Sequence, residues 1–195
     1  MSRPAFIVEG DQEQKVIQQI CPGIPVVKHR TNGKTVELAV AAKVISSLIN
    51  IRYRNHYPII VLFDRESRTE SVVAIKKQLS ELIKDATGNI QLIVGIPDRM
   101  IENWLLADPR NIADKLKGTH SRMSEGVNGK AFIKKNICTK NTYHETVEGV
   151  EWFLTASSKE MYKNSTSFKS FIDDLFSTSF KCKSKWMKAC LSAIK

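Results

Sequence analysis

The feature that most constrains the fold is an unbroken apolar run from Ile59 to Phe63, which the charged triplet 64–66 follows directly. A strand that is apolar at every position must be covered on both faces, as in the centre of a parallel sheet. Further strand-like runs lie at 4–8, 26–27 and 90–95. Helical patterns alternate with these runs, and Thr31-Asn32-Gly33-Lys34 predicts a turn. This alternation predicts an α/β core over 1–109, with a mostly parallel sheet between helices.

The second half of the chain has a different pattern. Residues 110–195 contain few strand-like runs and several short amphipathic stretches, which predict helices at 111–116, 130–137, 145–154, 168–176 and 186–194. Within the core, the predicted helices are 11–20, 36–54, 71–84 and 100–106. We therefore expect 110–195 to form a helical extension packed on the core.

The charge balance indicates a class of partner. The chain has 30 Lys and Arg against 20 Asp and Glu, for a formal net charge of +10. An excess of this size favours a polyanion, because basic side chains release counterions when they bind phosphates. We therefore expect nucleic acid as a partner.

Cysteine spacing and hydropathy bear on where the protein is found. The four cysteines are widely spaced and form no C-x-x-C pair, so we expect reduced thiols rather than a zinc site or a disulfide framework. The N-terminus lacks the pattern of a signal peptide, and no apolar run is long enough to span a bilayer. These features predict a cytoplasmic protein without a membrane partner.

Acidic residues follow the predicted strands. Glu9 ends the first strand, Asp64 and Glu66 follow the central one, Glu102 lies beyond the fourth, and Glu13 is one helical turn past Glu9. Ligands of open α/β sheets bind beyond the carboxyl ends of the strands, so these acids are expected at one site. Carboxylates that converge there repel one another unless a cation lies among them, and hard oxygen ligands favour Mg²⁺ or Mn²⁺. Taken singly, each acid could instead cap a helix or face water.

The same segments resemble the TOPRIM domain of topoisomerases, DnaG-type primases and OLD-family nucleases. The resemblance lies in Phe6-Ile7-Val8-Glu9-Gly10 and in Val61-Leu62-Phe63-Asp64-Arg65-Glu66. It implies a TOPRIM/Rossmann-like sheet in which Glu9 acts as general acid or base, or binds metal, while Asp64 and Glu66 bind Mg²⁺. The TOPRIM signature has aspartate where this chain has Glu66, which changes the reach of that carboxylate.

A narrower resemblance covers most of the chain. It is to the DUF4276 group, TOPRIM-like proteins of bacteria and phages, many of them linked to mobile elements or defence loci. It is carried by Glu9-Gly10-x-x-Glu13, Thr31-Asn32-Gly33, Asp64-Arg65-Glu66-x-Arg68, Ile101-Glu102-Asn103-Trp104-Leu105-Leu106-Ala107-Asp108 and Ser167-Phe168. It implies a place in a phage-defence or mobile-element system, and it leaves open an ATPase or other protein partner from that system.

Basic residues beside the acids have two interpretations. Arg65 and Arg68, with Arg99, are placed to hold phosphate oxygens, and they are placed equally well to form salt bridges to the neighbouring carboxylates. The tail 181–188 interleaves lysines with Trp186, which suits either a nucleic-acid track or a solvated helix face. Trp104 is expected in the core.

These observations predict a Mg²⁺- or Mn²⁺-dependent nuclease in which Glu9, Asp64 and Glu66, with Arg65 and Arg68, act on the phosphodiester. Metal ligands are drawn from the five acids named above. Two alternatives stay open: a phosphatase-like enzyme acting on small phosphate esters, and a non-catalytic subunit that binds nucleic acid or a protein. No P-loop is present, so we do not expect the chain itself to hydrolyse ATP.

Overall fold

The computed structural model describes residues 3–31, 36–113, 125–138, 142–178, 180, 182 and 184–194. Its centre is a sheet of four parallel strands in the order β2-β1-β3-β4. The strands are β1 (Ala5–Val8), β2 (Val26–Lys28), β3 (Ile59–Leu62) and β4 (Leu92–Gly95). The predicted α/β class with a parallel sheet is confirmed, and the apolar run Ile59–Phe63 forms one of its two inner strands.

Helices connect the strands and form nearly all of the described extension. In the core they are α1 (Asp11–Ile20), α2 (Leu38–Leu48), α3 (Val72–Thr87) and α4 (Ile101–Leu106). Further along are α5 (Pro109–Ala113), α6 (Gly129–Asn136), α7 (Val150–Thr155), α8 (Ser158–Asn164), α9 (Thr166–Phe176) and α10 (Lys185–Ile194). Two π-helical turns, Ile49–Tyr53 and Glu145–Gly149, adjoin α2 and α7.

Several elements of the structure differ in detail from those predicted from the sequence. The single helix expected over 36–54 is α2 followed by a π-helical turn, and α8 was not predicted. The helix predicted at 111–116 is described only up to residue 113, within α5. Residues 32–34 of the predicted turn, and Lys181 and Lys183 of the tail, lie outside the described residues.

The two faces of the sheet are covered by different helices. Ile7 and Val61 point into an apolar cluster with α2 and α3, and the alternate residues Phe6, Ile60 and Leu62 point to the opposite side. There they share one cluster with α1, α4 and the helices of the extension, of which α9 packs against β4. The extension therefore covers this face of the sheet together with α1 and α4.

Aromatic side chains join the extension to this face. The Trp104 indole, 1% exposed, stacks on Phe171 with ring centroids 5.3 Å apart and donates a hydrogen bond to Ser167 Oγ at 3.0 Å. Trp186 of α10 stacks on Phe153 at 5.7 Å, and its Nε1 donates to the carbonyl of Ala156 at 3.1 Å. Trp104 is a core residue, as predicted, and Trp186 is engaged within the extension rather than presented for base stacking.

The expectation of reduced thiols was wrong for two cysteines. Cys21, just after α1, and Cys182, just before α10, are joined by a disulfide across 161 residues of sequence. Cys138 is a free thiol. The spacing could not show this pair, because the contact arises only when the end of the chain folds back against the end of α1. Within the described residues, no helix has the length and apolarity that a membrane crossing requires.

A glycine at the end of β4 provides a test of this packing. A Cβ built on Gly95 would lie 2.5 Å from Phe171 and 2.8 Å from Leu62, so alanine has no space between sheet and extension. We expect Gly95→Ala to lower the free energy of unfolding by about 1–3 kcal/mol in chemical denaturation. Gly95→Ala combined with Phe171→Leu should lose less than the two single changes added together. Additive losses would contradict the contact.

Candidate functional site

The carboxyl ends of the inner strands open into a cavity of about 1010 Å³. Its walls come from the segments that follow β1, β3 and β4 and from the extension. Seven acidic residues line it: Glu9, Asp11, Glu13, Asp64, Glu66, Glu102 and Glu145. The structure thus brings all five acids proposed from the sequence to one cavity, and it adds Asp11, which pairs with Lys28, and Glu145 from the extension.

Backbone hydrogen bonds fix the first two acids. Because β1 and β3 are adjacent and parallel, Glu9 lies beside the residue that leaves β3, and its carboxylate accepts the backbone N–H of Asp64 at 3.0 Å. Glu13 turns back at the start of α1 and accepts the backbone N–H of Gly10 at 3.0 Å. Glu9 and Glu13 are 8% and 6% exposed. Both carboxylates are therefore held at the cavity floor.

Burial and the neighbouring carboxylates raise the pKa values of these acids. Burial first, and then the neighbouring carboxylates, raise the pKa of Glu9 to about 7, although the bond from Asp64 opposes the shift. Burial likewise raises the pKa of Glu102 to about 7 and that of Glu13 above its usual value. The pKa of Asp64 is raised well above its ordinary range by burial and by four surrounding carboxylates. Ionised together, these groups require a compensating positive charge.

The donor set fits a divalent cation. Glu102 is only 3% exposed, and its Oε1 is a buried acceptor that has no hydrogen-bond partner among the described residues. Among those residues, no three His, Cys, Asp or Glu side chains are arranged to hold one metal ion directly. Mg²⁺ usually keeps several waters and binds through one or two carboxylates, which suits this arrangement. The one or two direct ligands would come from Asp64, Glu66, Glu13 and Glu102.

Two of the predicted phosphate ligands, Arg65 and Arg68, are engaged by acidic side chains and backbone carbonyls of the protein itself. Arg65 forms an ion pair with Asp98, with Nη1 and Oδ1 2.7 Å apart. Arg68 is buried over the Phe63 ring and donates to the carbonyls of Asp64 and Arg65, each at 3.1 Å, and of Val36. Neither arginine lines the cavity. Their contacts hold the loop after β3 in place.

Arg99, by contrast, lines the cavity and fixes Glu66. The Glu66 N–H donates to the Arg99 carbonyl at 2.7 Å, and Arg99 Nη1 donates to the Glu66 carbonyl at 3.0 Å. Glu66 has a φ of 54°, a left-handed conformation that non-glycine residues rarely adopt. The reciprocal bonds hold its backbone in that conformation, and its carboxylate forms an ion pair with Arg68 at 3.8 Å.

Comparison with known proteins identifies the family. The model of a domain of unknown function, DUF4276, matches residues 8–176. The chain belongs to the DUF4276 family. The match spans all five predicted acids and most of the extension. No curated protein and no solved structure showed significant similarity to the chain.

The DUF4276 extension supplies cavity residues that the sequence did not reveal. Tyr143 stacks on Trp152, with ring centroids 5.7 Å apart, and its hydroxyl accepts a hydrogen bond from Gln12 at 3.3 Å. Lys130 and Glu145 form an ion pair within the cavity lining. Gln12 lies beside the strand-end acid motif, which was a local signal for it. The extension residues had none, because only the tertiary fold brings them to the sheet edge.

The pKa values predict how the stability of this DUF4276 protein depends on pH. Glu9 and Glu102 titrate near 7 when folded and near 4.5 when unfolded, so the folded state binds more protons between these values. Without metal, their contribution to the free energy of unfolding should be present below pH 4.5 and lost as pH rises through 7. Thermal unfolding in EDTA across this range measures it.

Mg²⁺ or Mn²⁺ should raise the midpoint of unfolding more at about pH 8 than at about pH 5, because the carboxylates bind it when ionised. Glu102→Gln is the control, since it removes one titrating group and should flatten the pH profile. Identical profiles for the wild type and this variant would contradict the assignment.

Proposed function

We propose that this DUF4276 protein is a TOPRIM-type nuclease that hydrolyses phosphodiester bonds of DNA or RNA with Mg²⁺ or Mn²⁺. The observation that carries the proposal is the convergence of carboxylates from three separate strand ends on one cavity. Asp64 and Glu66 follow β3 and Glu9 follows the adjacent β1, which is the placement that the TOPRIM resemblance implies. The narrower DUF4276 resemblance extends the proposal to a role in phage defence or a mobile element.

The acids would divide the chemistry between them. A bound divalent ion would polarise the scissile phosphate and offset the charge that develops on it. Asp64 and Glu66 would hold this ion, with Glu13 and Glu102 completing the acidic surface around it. Glu9 suits proton transfer, because a carboxyl whose pKa is about 7 is present in both protonation states near neutral pH. Its bond to the Asp64 N–H keeps it beside the metal ligands.

Charge and size both favour a nucleic-acid polymer. The chain carries a net charge of +10, whereas the acids that line the cavity outnumber its lysines and arginines. Attraction of a polyanion to the protein and neutralisation of the cavity by a cation would therefore act together. At about 1010 Å³ the cavity is at the upper end of the roughly 300–1,000 Å³ typical of small-molecule sites. A segment of a polymer fits this space better than a small phosphate ester does.

Replacing Asp64 tests the proposal. We expect purified wild-type protein to cleave plasmid, single-stranded DNA or RNA with Mg²⁺ or Mn²⁺, and Asp64→Ala to reduce the cleavage rate at least about 100-fold. The fold should hold, because the bonds from Asp64 to Glu9 and Arg68 use its backbone groups, which alanine retains. Loss of one converging carboxylate should leave the metal-free stability unchanged or slightly higher.

Two further variants sharpen the test. Glu9→Gln should lose cleavage with a smaller loss of metal affinity, since its role is proton transfer. Asp85→Ala, an exposed acid near the end of α3, is the matched control and should behave as wild type. Wild-type cleavage by Asp64→Ala, or a folded wild-type protein that binds no divalent metal in calorimetry, would refute the proposal.

A further inference from the structure

The cationic side chains of the cavity differ from those expected at first. Among the described residues, the arginines and lysines that line it are Arg99 and Lys130. Arg99 is committed to the carbonyl of Glu66. Lys130 belongs to the extension, and its side chain is 37% exposed. The Lys130 ammonium is therefore carried on a flexible side chain that is partly exposed to solvent.

The close packing of α6 on α4 sets the position of Lys130. A Cβ on Gly129 would lie 3.0 Å from both the backbone nitrogen of Asn103 and the Cβ of Glu102, so the absence of a side chain lets the two helices meet. Asn128 caps α6 by accepting the N–H of Ala131 at 2.8 Å. Lys130 therefore extends from a fixed backbone position close to Glu102.

The partner of Lys130 is a carboxylate that substrate could replace. Its ammonium pairs with Glu145, whose side chain is 38% exposed and which begins the π-helical turn Glu145–Gly149. A pair this exposed stabilises a protein by only about 0–1 kcal/mol, so exchanging it for another anion costs little. A phosphodiester presents the same kind of anionic oxygen acceptor as this carboxylate.

We propose that Lys130 binds a nonbridging phosphate oxygen of the nucleic-acid substrate, and that Glu145 occupies Lys130 until the phosphate displaces it. This inference rests on the proposed function and assigns the phosphate contact to the extension instead of to Arg65 or Arg68. Glu145 then acts as an internal competitor of the substrate. The α6 segment and the π-helical turn together form the phosphate-binding side of the cavity.

The test measures binding of a fluorescently labelled single-stranded DNA oligonucleotide by anisotropy, in Ca²⁺ and over a series of salt concentrations. Lys130→Met should weaken binding roughly 5- to 20-fold. It should also reduce the slope of log affinity against log salt by about 0.7, the value for one phosphate contact on a single strand. Lys130→Arg should restore most of the affinity. A purely structural role would leave the salt slope unchanged.

Glu145→Gln gives the opposite expectation, because it frees Lys130. Affinity should rise roughly two- to fivefold. The Lys130→Met, Glu145→Gln double variant should bind like Lys130→Met alone, since the competitor acts only through Lys130. The matched control is Lys76→Met, which breaks a comparable ion pair with Asp174 between α3 and α9, away from the cavity. It should not change binding.

Metal affinity by calorimetry and cleavage with Mn²⁺ are measured on the same samples. Wild-type affinity and salt slope in Lys130→Met, with metal binding and cleavage intact in the wild type, would overturn this inference alone. A gain from Glu145→Gln that persists without Lys130 would also overturn it. Absence of both metal and oligonucleotide binding in the wild type would overturn the proposed function and this inference together.

Discussion

The structure depends on holding mutually repelling carboxylates together at the edge of a parallel sheet. Parallel strands bring Glu9 and Asp64 side by side, and helix starts add Glu13 and Glu102. Burial raises the pKa of each, so without a metal the close packing of these acids opposes their ionisation. A compensating cation would resolve this conflict, and the rest of the site forms the framework that keeps the acids from moving apart.

That framework consists mainly of bonds to the backbone. Glu9 binds the N–H of Asp64, and Arg68 spans two carbonyls of the same loop. The Glu66 N–H donates to the Arg99 carbonyl, and the Arg99 guanidinium donates to the Glu66 carbonyl. Asp98 joins the ion pair of Arg65 to the backbone of the extension at Gly126. The arginines beside the acids in sequence thus position the loops that carry them.

How much the sequence could predict depended on how local the signal was. The apolar run before Asp64 placed a central strand correctly, because full burial leaves an unbroken pattern. It also put Asp64 and Glu9 at a common edge, since parallel strands end together. The sequence could not distinguish phosphate contact from salt bridging for Arg68, whose orientation depends on nearby carbonyls and on that of Val36, which is distant in sequence. Lys130 and the Cys21–Cys182 disulfide were missed because both depend on how the extension folds back.

The most direct test of the central claim is to locate the cation. Crystals soaked in Mn²⁺ and measured for its anomalous scattering should show a peak in the cavity, with at least one oxygen of Asp64, Glu66, Glu13 or Glu102 about 2.0–2.6 Å away. The peak should be lost from crystals of Asp64→Ala. A peak only outside the cavity, or none at Mn²⁺ concentrations that support cleavage, would contradict the account.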